Sequence, residues 1–314
     1  QVTALITGAS SGIGALYAER LAQRGHDLIL VARSRVRLEE LAQRLVEQTG
    51  RHVQVLVADL GDQAGLAVVE QLLRSNDQIS LLVNNAGVGA TAPLLDSDVE
   101  AMTRMIELNV TALTRLAYAA APGMVARGHG AIINIASIVG IAPEILNGVY
   151  GGTKAFVLAF SQSLHHELAG KGVRIQAVVP GAIATDFWTV AGTPVEALPS
   201  QIVMQPADLV DAALTGFDQG ELVTIPSLPD AADWQALLAG ADAAPAVSFC
   251  NTGHWAATDW FGLSEVAGLP GVKLYAGSMV DWTQQADAPP MANQPGRAES
   301  LAYDAKQWWE KKFK

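Results

Sequence analysis

From its first residues to about Ile225 the chain alternates short β-rich apolar runs with stretches of helical period, and no other feature narrows the possible folds as far. Residues 5–7, 27–31, 53–57, 81–83, 131–135, 174–179 and 222–225 read as strands, several of them apolar without alternation. Such strands suit a parallel sheet covered on both faces, where neither side of the strand meets water. Between them, residues 13–24, 35–48 and 150–169 carry helical periodicity. Strand–helix repetition of this kind predicts an α/β architecture, a doubly wound parallel sheet with right-handed crossovers. One helix start is signed by Ser97 and Glu100, spaced as in a capping box.

Composition sets the outer bounds. A chain of 314 residues accommodates one large domain with an extension, or two domains. It is 50% hydrophobic and 16% charged, enough for a sizeable core and too apolar for general disorder. The net charge of −11, with no dense Lys/Arg block before the last few residues, argues against a nucleic-acid partner. A small anionic cofactor is still compatible, since a few backbone N–H groups at a helix start bind one locally. Cys250 is the sole cysteine, so no intramolecular disulfide forms, which fits a reducing cytoplasm. No apolar run reaches the roughly 18 residues needed to cross a bilayer. Residues 1–7 read as a strand entering a turn rather than as a leader, and Gln1 in place of Met implies a few preceding residues. The expectation is a soluble, cytoplasmic protein without a membrane partner.

The chemistry-bearing residues begin at Thr7, Gly8, Ala9, Ser10, Ser11, Gly12, Ile13 and Gly14, between the first strand and first helix. Glycines here let the backbone turn sharply and approach a pyrophosphate, which the helix N-terminus stabilises. After the second strand, where an NAD site offers an acid to the ribose, the segment Arg33, Ser34, Arg35 has no acid and offers the cations Arg33 and Arg35 instead. Arg33 is placed to pair with a 2′-phosphate, which favours NADP(H) over NAD(H). Tyr150 and Lys154 stand four apart on a helix and so share a face. Ser137 follows the fifth strand, at the strand end where open α/β sheets hold ligands.

In order and spacing these motifs resemble the short-chain dehydrogenase/reductase family over about residues 2–228. The resemblance rests on the glycine turn, on Asp59 after the third strand, and on Asn84, Asn85, Ala86 and Gly87 closing the fourth. It is completed by Asn109, Ser137, the Tyr150–Lys154 pair, and Pro180, Gly181 and Thr185 after the sixth strand. It implies a Rossmann-type sheet of order 3-2-1-4-5-6-7 and a catalytic set of Asn109, Ser137, Tyr150 and Lys154. Asp59, Asn85, Ala86, Gly87, Pro180, Gly181 and Thr185 would join the glycine turn and Arg33 around the cofactor. A neighbouring ammonium and the nicotinamide are expected to lower the phenol's pKa, so that Tyr150 exchanges a proton with the substrate oxygen. Ser137 would hold that oxygen, and Asn109 would position a water against Lys154. A homodimer or homotetramer built on the helices of Asn109 and Tyr150 is further implied. The segment from Ile183 to Gln205, rich in Phe187, Trp188, Val190 and other apolar residues, reads as a roof over a small apolar carbonyl or alcohol.

After a junction at 229–243 the texture changes. Residues 244–314, with Cys250 and Gly253 in a loop between short strands, resemble the second half of a rhodanese-like sulfurtransferase domain. That resemblance implies a partial α/β extension and a sulfur-accepting Cys250. The adjacent His165, His166 and Glu167 lack metal-ligand spacing, and no metal is expected. Three readings stand at this point: an NADP(H)-dependent oxidoreductase, a sulfurtransferase working through Cys250, and a non-catalytic nucleotide-binding scaffold.

Overall fold

In the computed structural model, residues 2–143, 146–198 and 200–227 are described, together with two short strands further on. The chain divides into two compact units, Gln1–Pro229 and Asp230–Lys314.

The first unit opens with β1 (Thr3–Thr7), α1 (Gly12–Gln23), β2 (Asp27–Ala32), α2 (Arg35–Thr49), β3 (Val53–Val57) and α3 (Gln63–Ser75). It continues with β4 (Ile79–Asn84), α4 (Val99–Ile106), α5 (Leu113–Arg127), β5 (Gly130–Ile135), α6 (Gly148–Leu168) and β6 (Val173–Val178). Then follow β7 (Ala182–Ile183), α7 (Phe187–Ala191), β8 (Val203–Met204), α8 (Pro206–Gln219) and β9 (Val223–Thr224).

Seven strands form one parallel sheet in the order β3-β2-β1-β4-β5-β6-β9. This is the expected order with β9 in the seventh place, because β7 and β8 pair with each other outside the main sheet. Every residue of β1, β2 and β4 is buried, so their unbroken apolar runs follow from having helices on both sides. Side chains alternate between two cores. Ala4 and Ile6 pack under α1, α2 and α8, whereas Leu5 packs under α3, α5 and α6. Each fully buried Leu or Ile contributes about 1.5–3 kcal/mol, and both layers are dominated by such residues.

Two local expectations change. The cap of α4 is Asp98, whose carboxylate accepts from Glu100 N (3.4 Å) and Ala101 N (2.9 Å). Ser97 turns back to donate to Leu94 O at 3.1 Å, because α4 starts one residue later than the capping-box spacing implied. The helix that carries Tyr150 and Lys154, α6, begins at Gly148 rather than Tyr150, behind an Asn147 cap.

In the second unit the described strands are β10 (Val247–Ser248) and β11 (Lys273–Leu274), paired in parallel with Val247 beside Lys273. The rest of the expected rhodanese-like segment, Cys250 included, lies outside the described residues. Among the described residues no helix is long and apolar enough to cross a membrane.

Candidate active site

β1 and β4 are neighbours in the sheet, yet the chain leaves them towards opposite edges, and the crevice at their carboxyl ends is the switch point of the fold. A cleft of about 1260 Å³ opens there. Its floor is tied together by Thr7, whose hydroxyl donates to Val83 O at 3.2 Å and accepts from Asn85 N and Ala86 N, both at 3.0 Å. Asn85 Nδ2 donates to Thr7 O (2.9 Å) and Gly8 O (3.3 Å), so this side chain buttresses the glycine turn from below.

The glycines are dictated by close approach. A Cβ on Gly14 would stand 2.3 Å from Gly8 O, and one on Gly8 would stand 2.8 Å from Asn85 Nδ2. Gly8 and Gly12 also have φ of +66° and +55°, where a side chain is strained. With these positions bare, the turn and the free N–H groups at the start of α1 face the cleft.

Gly8, Ser10, Ser11, Gly12, Ile13, Arg33, Asp59, Asn85, Ala86, Gly87, Pro180, Gly181 and Thr185 all line this one cleft, as do Ser137, Tyr150 and Lys154. Gly14 and Asn109 do not; they support it from behind. Arg35 pairs with Glu39 along α2 at 3.3 Å, whereas Arg37, not singled out in the sequence, lines the cleft with Arg33. Its signal was its place in the first turn of α2, two residues after Arg35.

On the other side of the cleft, Ser137 caps a 3₁₀ turn, Ile138–Gly140, by accepting from Val139 N at 3.4 Å, and donates to Pro180 O at 3.4 Å. Tyr150 and Lys154 are buried in successive turns of α6. The Lys154 ammonium lies 5.9 Å from the centre of the Tyr150 ring and donates to Ile135 O at 2.8 Å. Burial pushes the Tyr150 phenol up to about 12, and a hydrogen bond with Ser137 pulls it partly back. Burial pushes Lys154 down to about 8. The expected lowering of the phenol is therefore not produced by the protein's own groups. Loss of water around the ring dominates, and the Ser137 hydrogen bond opposes it only in part.

Asn109 lies in a widened, π-helical turn, Glu107–Ala112, between α4 and α5. Such turns interrupt helices frequently at functional sites. Its amide accepts from Val88 N (2.9 Å) and donates to Val88 O (2.8 Å) and Thr153 Oγ1 (3.1 Å). It thereby pins the cleft wall after β4 to the helix that carries Tyr150 and Lys154. The segment after β6 closes the remaining side. Phe187 packs 5.6 Å from the Tyr150 ring, and Trp188 Nε1 donates to Ile183 O at 2.9 Å. Leu198, Ile202 and Met204 line the same cleft, whereas Val195 does not.

Fold and cleft together define an enzyme of the doubly wound α/β class, with Ser137, Tyr150 and Lys154 in the cleft at the switch point. The chain belongs to the short chain dehydrogenase family, whose sequence profile matches residues 2–194. A short-chain dehydrogenase from Sphingobium yanoikuyae, solved in complex with NADPH, is 54% identical. The match covers 76% of this chain and 93% of that one, with a TM-score of 0.73. The bulky-bulky ketone specific alcohol dehydrogenase from Comamonas testosteroni is 48% identical over 76% of this chain and 92% of its own, with a TM-score of 0.69. The very-long-chain 3-oxoacyl-CoA reductase of Anas platyrhynchos is 36% identical over 186 residues, 58% of this chain and 60% of that protein's own length.

Proposed function

We propose that the protein is an NADP(H)-dependent oxidoreductase that interconverts a carbonyl compound and its alcohol. The observation that carries this reading is convergence: Ser137, Tyr150 and Lys154 open into the same cleft as the glycine turn and two arginines. The residues present fit the cofactor. Bare Gly8 and Gly14 let the turn pack closely on Asn85 and on the start of α1, which leaves the helix N–H groups towards the cleft, and Arg33 and Arg37 supply two cations for a 2′-phosphate. When bound, the cofactor supplies or accepts the hydride.

The chain's own part is proton transfer and alignment. Tyr150 holds its proton at neutral pH and gives it to the carbonyl oxygen as the alcohol forms. Ser137 donates a second hydrogen bond to that oxygen. Lys154, whose ammonium is held by Ile135 O, stabilises the phenolate left behind. Asn109 keeps the wall and the catalytic helix in register. Leu146, Phe187, Val190, Ile202 and Met204 make the substrate end of the cleft apolar. This favours a bulky apolar ketone, and the Comamonas enzyme is named as specific for bulky-bulky ketones.

An aromatic row supports the homo-oligomer. Tyr118 on α5 stacks on Phe160 of α6 (6.5 Å), which stacks on Phe156 (5.6 Å), while Tyr118 is 68% exposed. An open aromatic surface on these two helices suits a second copy of the chain. The scaffold reading leaves the convergence of three reactive side chains without a purpose, and no described residue bears on the sulfurtransferase reading.

The test is NADPH oxidation with a panel of bulky ketones. Tyr150→Phe should lower turnover at least about a hundredfold while NADPH still binds. Unchanged turnover overturns the assignment. Arg33→Asp together with Arg37→Ala should shift preference towards NADH, and an unaltered cofactor ratio would remove both arginines from their role.

A further inference from the structure

Asn147 is 2% exposed and stands immediately before α6. Its Oδ1 accepts from Val149 N (2.9 Å) and Tyr150 N (3.2 Å), the geometry of a helix N-cap. A cap needs only an acceptor, which Ser or Asp would supply equally well. The amide makes a further bond that a carboxylate cannot: Nδ2 donates to Ala92 O at 2.6 Å.

Ala92 continues a chain of short contacts. The neighbouring Thr91 donates twice to Ala191 O, from its N–H at 3.1 Å and from its hydroxyl at 2.9 Å. The Thr193 hydroxyl donates to the Thr91 hydroxyl at 3.0 Å. Ala191 ends α7, and the first residue of α7 is Phe187, whose ring packs against Tyr150. That ring fits because residue 89 is glycine; a Cβ there would stand 2.2 Å from Phe187 Cζ. The contacts close a circuit running from Tyr150 through Asn147, Ala92, Thr91 and Ala191 to Phe187 and back to Tyr150.

We infer that Asn147 is a positioning residue that sets the catalytic phenol and the apolar roof of the substrate site jointly. Its acceptor fixes the first turn of the Tyr150 helix, and its donor fixes the wall to which the roof is stitched. The kinetic consequence rests on the function proposed above; the clamp itself does not.

Two variants separate the halves of the clamp. Asn147→Ala loses both, whereas Asn147→Asp keeps the cap and sets a carboxylate against the Ala92 carbonyl. Amide hydrogen exchange on the whole protein reads the geometry directly. The alanine variant should exchange faster over residues 148–152, 88–93 and 186–193. The aspartate variant should restore protection over 148–152 alone. With NADPH and a bulky ketone, the alanine variant should lose kcat on the order of tenfold and gain in KM. Aspartate should recover kcat to within about threefold while KM stays raised on the order of tenfold. NADPH affinity should not move in either variant. Wild-type protection over 88–93 and 186–193 in the aspartate variant, or joint recovery of kcat and KM, overturns the inference. If the unaltered protein reduces no carbonyl with NADPH, the proposed function fails, and the exchange pattern still decides the clamp.

Discussion

At Tyr150 burial costs the phenolate its water and pushes the phenol up to about 12, while at Lys154 the same cause pushes the ammonium down to about 8. Near neutral pH the pair is therefore phenol and ammonium, the state that donates a proton to a carbonyl. In the direction of ketone reduction the phenol stays protonated throughout the assayable range. The alkaline loss of kcat/KM should then fall near pH 8 and report Lys154; a profile measured with Lys154→Arg should keep its activity to higher pH. The same shift bears on stability. Between about pH 8 and the ordinary lysine value of 10.5 the unfolded chain binds more protons than the folded one, so stability rises with pH across that window. Below it the buried ammonium costs about 3 kcal/mol, tempered by its bond to Ile135 O. Lys154→Met should abolish turnover and yet raise the melting midpoint by several degrees, as calorimetry would show.

Among the elements, two close approaches of backbone to backbone place the site. Gly14 brings α1 onto the glycine turn, and Gly140 rests the 3₁₀ turn after Ser137 directly on α6. A Cβ on Gly140 would stand 2.8 Å from the Lys154 carbonyl carbon and oxygen, neither of which is free to yield. Gly140→Ala should move Ser137 away from Tyr150 and lower kcat on the order of tenfold with little change in NADPH binding. Gly14→Ala should do the reverse first, weakening NADPH binding, because it forces the helix start away from the turn. Titration of cofactor fluorescence beside steady-state kinetics distinguishes the two. The widened turn holding Asn109 belongs to the same scale: it redirects one side chain without ending the helix.

For the whole molecule, a parallel sheet with both faces covered leaves only its edges and ends for function, and the carboxyl ends at the switch between β1 and β4 become the cleft. The outer surface of α5 and α6, with Tyr118 exposed beside Phe156 and Phe160, is the face proposed above to meet a second copy. Replacing Tyr118 and Phe160 together by Glu should shift the protein to monomers in sedimentation at micromolar concentration. Because α6 carries Tyr150 and Lys154 on its inner side, dissociation should also reduce turnover; an unchanged sedimentation profile would place any oligomer elsewhere.

Strands, helices and the residues that carry the family resemblance were legible in the chain because each depends on neighbours close in sequence. Apolar runs, a glycine turn and a Tyr–Lys spacing of one helical turn are local signals. Asn147 and Gly140 escaped notice since their partners lie in other elements, and a lone polar or glycine residue looks alike whether or not something approaches it. The cap of α4 was misplaced by one residue because Ser97 and Asp98 both suit the position, and only the packed helix chooses. The acid–base order of Tyr150 and Lys154 was likewise decided by tertiary structure. Spacing brings a phenol and an ammonium together, but the water each keeps is set by Phe187, Ser137 and the sheet that close around them. Local pattern determined which groups are present and on which face; burial, which no short stretch of chain contains, determined how firmly each of them holds its proton.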